Sequence, residues 1–108
     1  MVETTPELKQ IIKRYRIQLA ELGIHPSRIL LYGSQAAGTA REGSDVDLIV
    51  ISDDWKNYSH RQRLELLGLA AARILEPVQA QGFTLEEVNA EKVMPFWGQM
   101  IKEHSIAV

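Results

Sequence analysis

Apolar residues along the first quarter of the chain recur with a helical period. Leu8, Ile11, Ile12, Tyr15, Leu19 and Leu22 fall on one face if residues from Pro6 onward are helical. Thr5 stands where an N-cap belongs, Pro6 suits the first turn, and Glu7 lies near the positive end of the helix dipole. Gly23 predicts the stop. After His25-Pro26-Ser27 the pattern changes. Ile29-Leu30-Leu31-Tyr32 is a short unbroken apolar run ending in Gly33, which predicts a buried strand entering a loop.

From Ser34 to Gly43 the residues are mostly small, broken by Gly38 and Gly43, so at most a short helix starting at Ser34 is expected. Val46 to Ser52 is nearly continuously apolar and predicts a second buried strand. Ser59 and Gln62 have the spacing of a capping box before a second long helix. Its inner stripe is expected to be Leu64, Leu67, Ala71, Ile74 and Leu75, and Pro77 forbids continuation. Val78 to Phe83 predicts a third strand, interrupted by Gly82. Thr84 and Glu87 form another capping box for a short helix, and Pro95 begins a last helical stretch. Phe96, Trp97, Met100, Ile101 and His104 lie on one side of that stretch. The order α, β, short α, β, α, β, α, α predicts an α/β (α+β) domain: a small mixed β-sheet backed by helices. With 108 residues and no repeat or linker, residues 1–108 are read as one domain.

Composition narrows the class. Apolar residues at 45% and charged residues at 24% describe an ordinary globular chain. No apolar run approaches the ~20 residues that span a bilayer, so no membrane role is expected. Lys9 and Lys13 interrupt the amphipathic start, unlike a signal peptide. The absence of cysteine excludes disulfides and thiolate zinc sites, and together these features point to the cytoplasm. A net charge of −2 and a pI near 5.9 argue against nucleic acid as the default partner. The one dense basic stretch, Lys13-Arg14-Arg16, has the spacing of a solvated helix side.

Asp45 and Asp47 are two apart where a strand begins, so both carboxylates project to one face. Such a pair repels itself unless a cation lies between, and magnesium prefers oxygen donors of this kind. Gly33 and Ser34 close the preceding strand. Glycine lets a phosphate approach the backbone, Ser34 adds a hydroxyl, and a following helix start offers free N–H groups. If the two strands are neighbours, the anion-binding turn faces the metal-binding pair. Alone, each piece is ordinary, since Asp-x-Asp after Gly-Ser is usually a polar turn. Gly33-Ser34, ten intervening residues and Asp45-Val46-Asp47 between two apolar strands is far more specific.

The stretch Leu31-Tyr32-Gly33-Ser34 through Ser44-Asp45-Val46-Asp47-Leu48-Ile49-Val50 resembles the minimal nucleotidyltransferases of the DNA polymerase beta-like superfamily. Element order and length extend the resemblance over nearly the whole chain. It implies that Gly33 and Ser34 contact a nucleoside triphosphate, ATP above all, and that Asp45 and Asp47 bind two magnesium ions as catalytic ligands. It also implies a third carboxylate on the third strand, where Gln79 is the best candidate position and Gln81 the next. A neutral amide supplies no charge and cannot act as a base. Gln35, Ala36 and Ala37 stand where related members often carry arginine; Arg41 lies further along the loop. These departures weaken turnover more than binding.

His25, His60 and His104 have no metal-ligand spacing, and Asp53-Asp54 read as turn or cap residues. The Phe96-Trp97 segment reads equally as core or as an apolar patch for a partner. Two functions stay open. One is transfer of AMP from ATP to a hydroxyl on a small acceptor or a bound protein. The other is a catalytically weak antitoxin that masks a partner. Members of this size often pair with a helical HEPN-domain protein as toxin and antitoxin, so the resemblance implies such a partner or a homo-oligomer. An aminoglycoside-type enzyme fits less well, because no second domain is present to hold an antibiotic.

Overall fold

The computed structural model describes residues 5–33, 45–90, 93–103 and 105–108. Helix α1 spans Pro6–Glu21, and the Thr5 hydroxyl accepts the Leu8 N–H at 3.1 Å as the expected cap. Leu8, Ile12, Tyr15 and Leu19 form its buried face. Gly23 ends the turn with φ +87°. The strands are β1 (Arg28–Tyr32), β2 (Val46–Ile51), β3 (Val78–Phe83) and β4 (Ile106–Ala107). Helix α2 covers His60–Ile74, α3 Leu85–Asn89 and α4 Pro95–Glu103. Both expected capping boxes, Ser59/Gln62 and Thr84/Glu87, are formed.

The sheet order is β3-β2-β1-β4. β2 and β3 are parallel, and the other pairs are antiparallel. A parallel pair needs a crossover, which α2 supplies between β2 and β3. Alternation along the strands divides the core into two. Ile29, Leu31, Val46, Leu48 and Val50 pack with α1 and α2 on one face. Leu30, Ile49, Ile51 and Phe83 pack on the other with Trp97, Met100 and Ile101 of α4. Because both faces are covered, β1 and β2 read as nearly continuous apolar runs, apart from Arg28 and Asp47 near their starts. The Tyr15 hydroxyl donates to the Leu67 carbonyl at 2.8 Å, joining α1 to α2 through the first core. Among the described residues no helix is long and apolar enough to cross a membrane.

Several expectations need correction. Leu64 is 48% exposed and Leu75 89% exposed, so neither belongs to the inner stripe of α2. The stripe is Arg63, Leu67, Ala70, Ala71 and Ile74: Leu67, Ala71 and Ile74 are as expected, and Arg63 and Ala70 take the places assigned to Leu64 and Leu75. Leu75 is the C-cap in the left-handed conformation, with φ 56°, which turns its side chain away from the helix face. Arg14 and Arg16 are not simply solvated. Arg14 donates to the Ile74 carbonyl at 2.7 Å and meets Glu76 at 3.5 Å, and Arg16 reaches the Val108 carbonyl at 3.4 Å.

Two elements were not expected. A 3-10 helix at Asp53–Asn57 buries Trp55, whose indole N–H donates to the Val50 carbonyl at 3.1 Å. A Cβ at Gly82 would stand 2.8 Å from that ring, so the glycine in β3 makes room for it and does not break the strand. Strand β4 pairs Ile106 with Leu31 and Ala107 with Leu30.

Arg63 is buried and holds Glu87 in a two-pronged ion pair at 2.7 and 3.2 Å. Partial burial pushes the Glu87 carboxyl up. Hydrogen bonds from Arg63 and the Thr84 N–H outweigh it, and the net value lies below the ordinary one. The unfolded chain therefore binds this proton more readily. The stabilisation is complete above the unfolded value of about 4.3 and is lost as pH falls through the lower folded value. Urea unfolding at pH ~7 and pH ~3 should show a steeper acid loss for the parent protein than for Glu87→Gln. Equal slopes would remove Glu87 from the acid limb.

Candidate functional site

Asp45 immediately precedes β2 and is exposed, and Asp47 is its second residue and half-buried. Alternation puts both on the side of Ile49 and Ile51, the face that α4 covers further along. Antiparallel register sets Asp47 opposite Tyr32 in β1, and parallel register sets it level with Gln79 in β3. The strands before and after the turn are therefore direct neighbours.

Gly33 leaves β1 with φ +73°, a conformation that side chains rarely adopt. A Cβ there would run into the Asp47 carboxylate, with the carboxylate Cγ at 3.2 Å. The Gly33 backbone thus lies against the carboxylate, and no side chain separates them. Ser34 lies outside the described residues, as do Gln35, Ala36, Ala37, Arg41 and His104.

Burial pushes the Asp47 carboxyl above its usual range, and the charge of Asp45 pushes it further. Two oxygen ligands that repel on one face are a donor set suited to a hard divalent cation, which relieves the repulsion. Gln79 donates its amide N–H to Asp45 Oδ2 at 2.9 Å. Among the described residues no third His, Cys, Asp or Glu joins the pair.

Tyr32 was absent from the expected site. Burial, and then the charge of Asp47, pushes its phenol up to about 12, so it keeps its proton at neutral pH. Its ring meets Trp97 edge-on at 5.6 Å, and Trp97 in turn packs near Phe83 at 6.2 Å. Only strand register could reveal this neighbour, since Tyr32 and Asp47 are distant in sequence. The Phe96-Trp97 pair divides between its two readings: Trp97 joins the second core, while Phe96 is 57% exposed.

The remaining candidates lie elsewhere. Asp54, in the 3-10 helix, accepts the His25 backbone N–H at 2.7 Å and so ties that helix to the segment before β1, while the helix cap is Ser52. His60 starts α2 and meets the Phe83 ring at 6.2 Å.

The sequence matches the family described as nucleotidyltransferase domain over residues 8–94. No curated protein matches it. A solved toxin–antitoxin structure with AMP-PNP is similar at TM-score 0.61 and 21% identity, covering 92% of this chain and 69% of that one. A structure described as a putative nucleotidyltransferase from Sulfolobus solfataricus is similar at TM-score 0.55 and 14% identity, covering 99% of this chain and 89% of the other. At these identities the two likenesses establish the fold.

Proposed function

Because the chain belongs to the nucleotidyltransferase domain family, we propose that the site binds ATP with magnesium and transfers AMP to a hydroxyl. The observation that carries this reading is the contact between Gly33 and Asp47. It supports the reading of Gly33 as the start of a turn that would accept an anion beside a pair that would accept a cation. Asp45 and Asp47 would hold the cation, Gly33 would let the triphosphate approach the backbone, and Ser34 would donate its hydroxyl. Bound magnesium would offset charge on the triphosphate and on the departing pyrophosphate. The acceptor oxygen bonds to the α-phosphorus as the bond to pyrophosphate breaks, and the hydroxyl proton passes to bulk water. Gln79, level with Asp47, cannot take that proton.

Gln79 also favours a second reading, in which the same site binds nucleotide with little turnover and the chain acts by masking a partner. In both readings residues 1–108 work as one cytoplasmic domain. The similar toxin–antitoxin structure supports a protein partner. A helical HEPN-type protein carrying the acceptor hydroxyl suits a domain of this size, and a second copy of the chain is the alternative.

Calorimetric titration with ATP, with and without magnesium, tests the shared basis. Binding is expected to depend on magnesium. Asp45→Asn and Asp47→Asn should each weaken it at least about 100-fold, or roughly 2.7 kcal/mol. Magnesium-independent binding, or binding indifferent to both substitutions, would sink the assignment. Transfer of α-labelled AMP to a co-purified helical partner separates the readings: label on the partner supports the enzyme, and a stable unlabelled complex supports masking.

A further inference from the structure

We propose that Gln79 sets the capacity of this site at one divalent cation, by holding Asp45 through a neutral amide at the position from which a carboxylate would complete a second cation site. The inference rests on the Asp45/Asp47 reading above and concerns how many cations that pair takes. Parallel pairing of β2 with β3 sets Gln79 level with Asp47. Alternation puts the two side chains on the same sheet face. The Gln79 amide spends its N–H on Asp45 Oδ2 at 2.9 Å.

That hydrogen bond has two consequences. It orients the Asp45 carboxylate, which would otherwise be free to rotate at the exposed start of β2. It also directs a positive N–H edge at one of the two oxygens, so a cation approaching that oxygen from the β3 side meets a donor and not a ligand. Charge points the same way. The two aspartates supply two negative charges, which balance one divalent cation. A second, ~3.5–4 Å from the first in paired-metal sites, needs further anionic oxygen to offset the mutual repulsion. Among the described residues no other His, Cys, Asp or Glu groups with the pair to provide it. Gln79 is thus a positioning residue for Asp45, and Gln79→Glu adds the missing charge at the same place in the register.

Gln79 is exposed on an edge strand, so its substitution leaves both cores intact. The test is titration of the full chain with Mn2+ alone, following free Mn2+ by electron paramagnetic resonance. The parent protein should bind one Mn2+ per chain and Gln79→Glu two. Gln79→Ala should keep one and bind it several-fold more weakly, because Asp45 loses its hold. A merely structural role for Gln79 would leave the stoichiometry unchanged in all three. Two Mn2+ on the parent protein, or one on Gln79→Glu, overturns the proposal while leaving the aspartate pair as the cation site. Failure of Asp45→Asn to reduce Mn2+ binding instead overturns the site reading on which the proposal stands.

Discussion

Gly33→Ala is expected to weaken magnesium-dependent ATP binding by at least roughly 10-fold, or about 1.4 kcal/mol. Two effects combine. Alanine at φ +73° carries a left-handed backbone penalty of about 1–2 kcal/mol. The added methyl also meets the Asp47 carboxylate, so either the turn or the aspartate has to move. Both are groups the proposed site needs in place. Gly23→Ala is the matched control. Its φ is +87°, and a Cβ there has nothing within 4 Å, so it incurs the backbone penalty alone. It should lose about 1 kcal/mol of stability with ATP affinity unchanged. Calorimetry on the two variants, with melting curves alongside, separates collision from strain. Parent-like ATP affinity in Gly33→Ala would show that the turn does not contact the nucleotide.

Arg63→Ala should destabilise the fold by on the order of 3–5 kcal/mol. This guanidinium bonds the Tyr58 carbonyl at 3.1 Å, the Gly82 carbonyl at 3.1 Å and both Glu87 oxygens. It therefore ties the entry to α2, the end of β3 and the start of α3 into one unit. Removing it leaves Glu87 without its ion-pair partner and the Gly82 carbonyl without the Arg63 donor. Small domains have only about 5–15 kcal/mol of total stability, so the loss should be plain in urea unfolding as a lower midpoint with an unchanged slope. A change below ~1 kcal/mol would mean that water replaces the guanidinium at little cost.

The same arginine shows where reading a sequence fails. Periodicity assigned the inner stripe of α2 to apolar residues, and Leu64 satisfied that rule as well as any. In the fold the buried position belongs to Arg63, because Glu87, from a helix that starts 22 residues further along, meets it there. A charged residue becomes a core residue only through partners that are remote in sequence. Gly82 is a similar case. It reads as an interruption of a strand until the Trp55 ring is found above it.

Local chemistry was legible wherever the cause was local. Caps at Thr5, Ser59 and Thr84, the stop at Gly23 and the apolar runs of β1 and β2 follow from neighbouring residues and backbone sterics. The two-residue strand β4 was not, because Ile106-Ala107 has no strand signal apart from the edge of β1 that it joins.

The site divides along the same line. That Asp45 and Asp47 share a face is settled by the two-residue period of a strand, and that a glycine ends β1 is plain from the chain. Their meeting is a tertiary fact. Antiparallel pairing of β1 with β2 carries Gly33 onto Asp47 and sets Tyr32 beside it, and parallel pairing with β3 brings Gln79 within hydrogen-bond reach of Asp45. Spacing along a chain determines which way side chains point. Which other side chains they point at depends on strand register, and register is decided by the packing of two cores on opposite faces of one sheet.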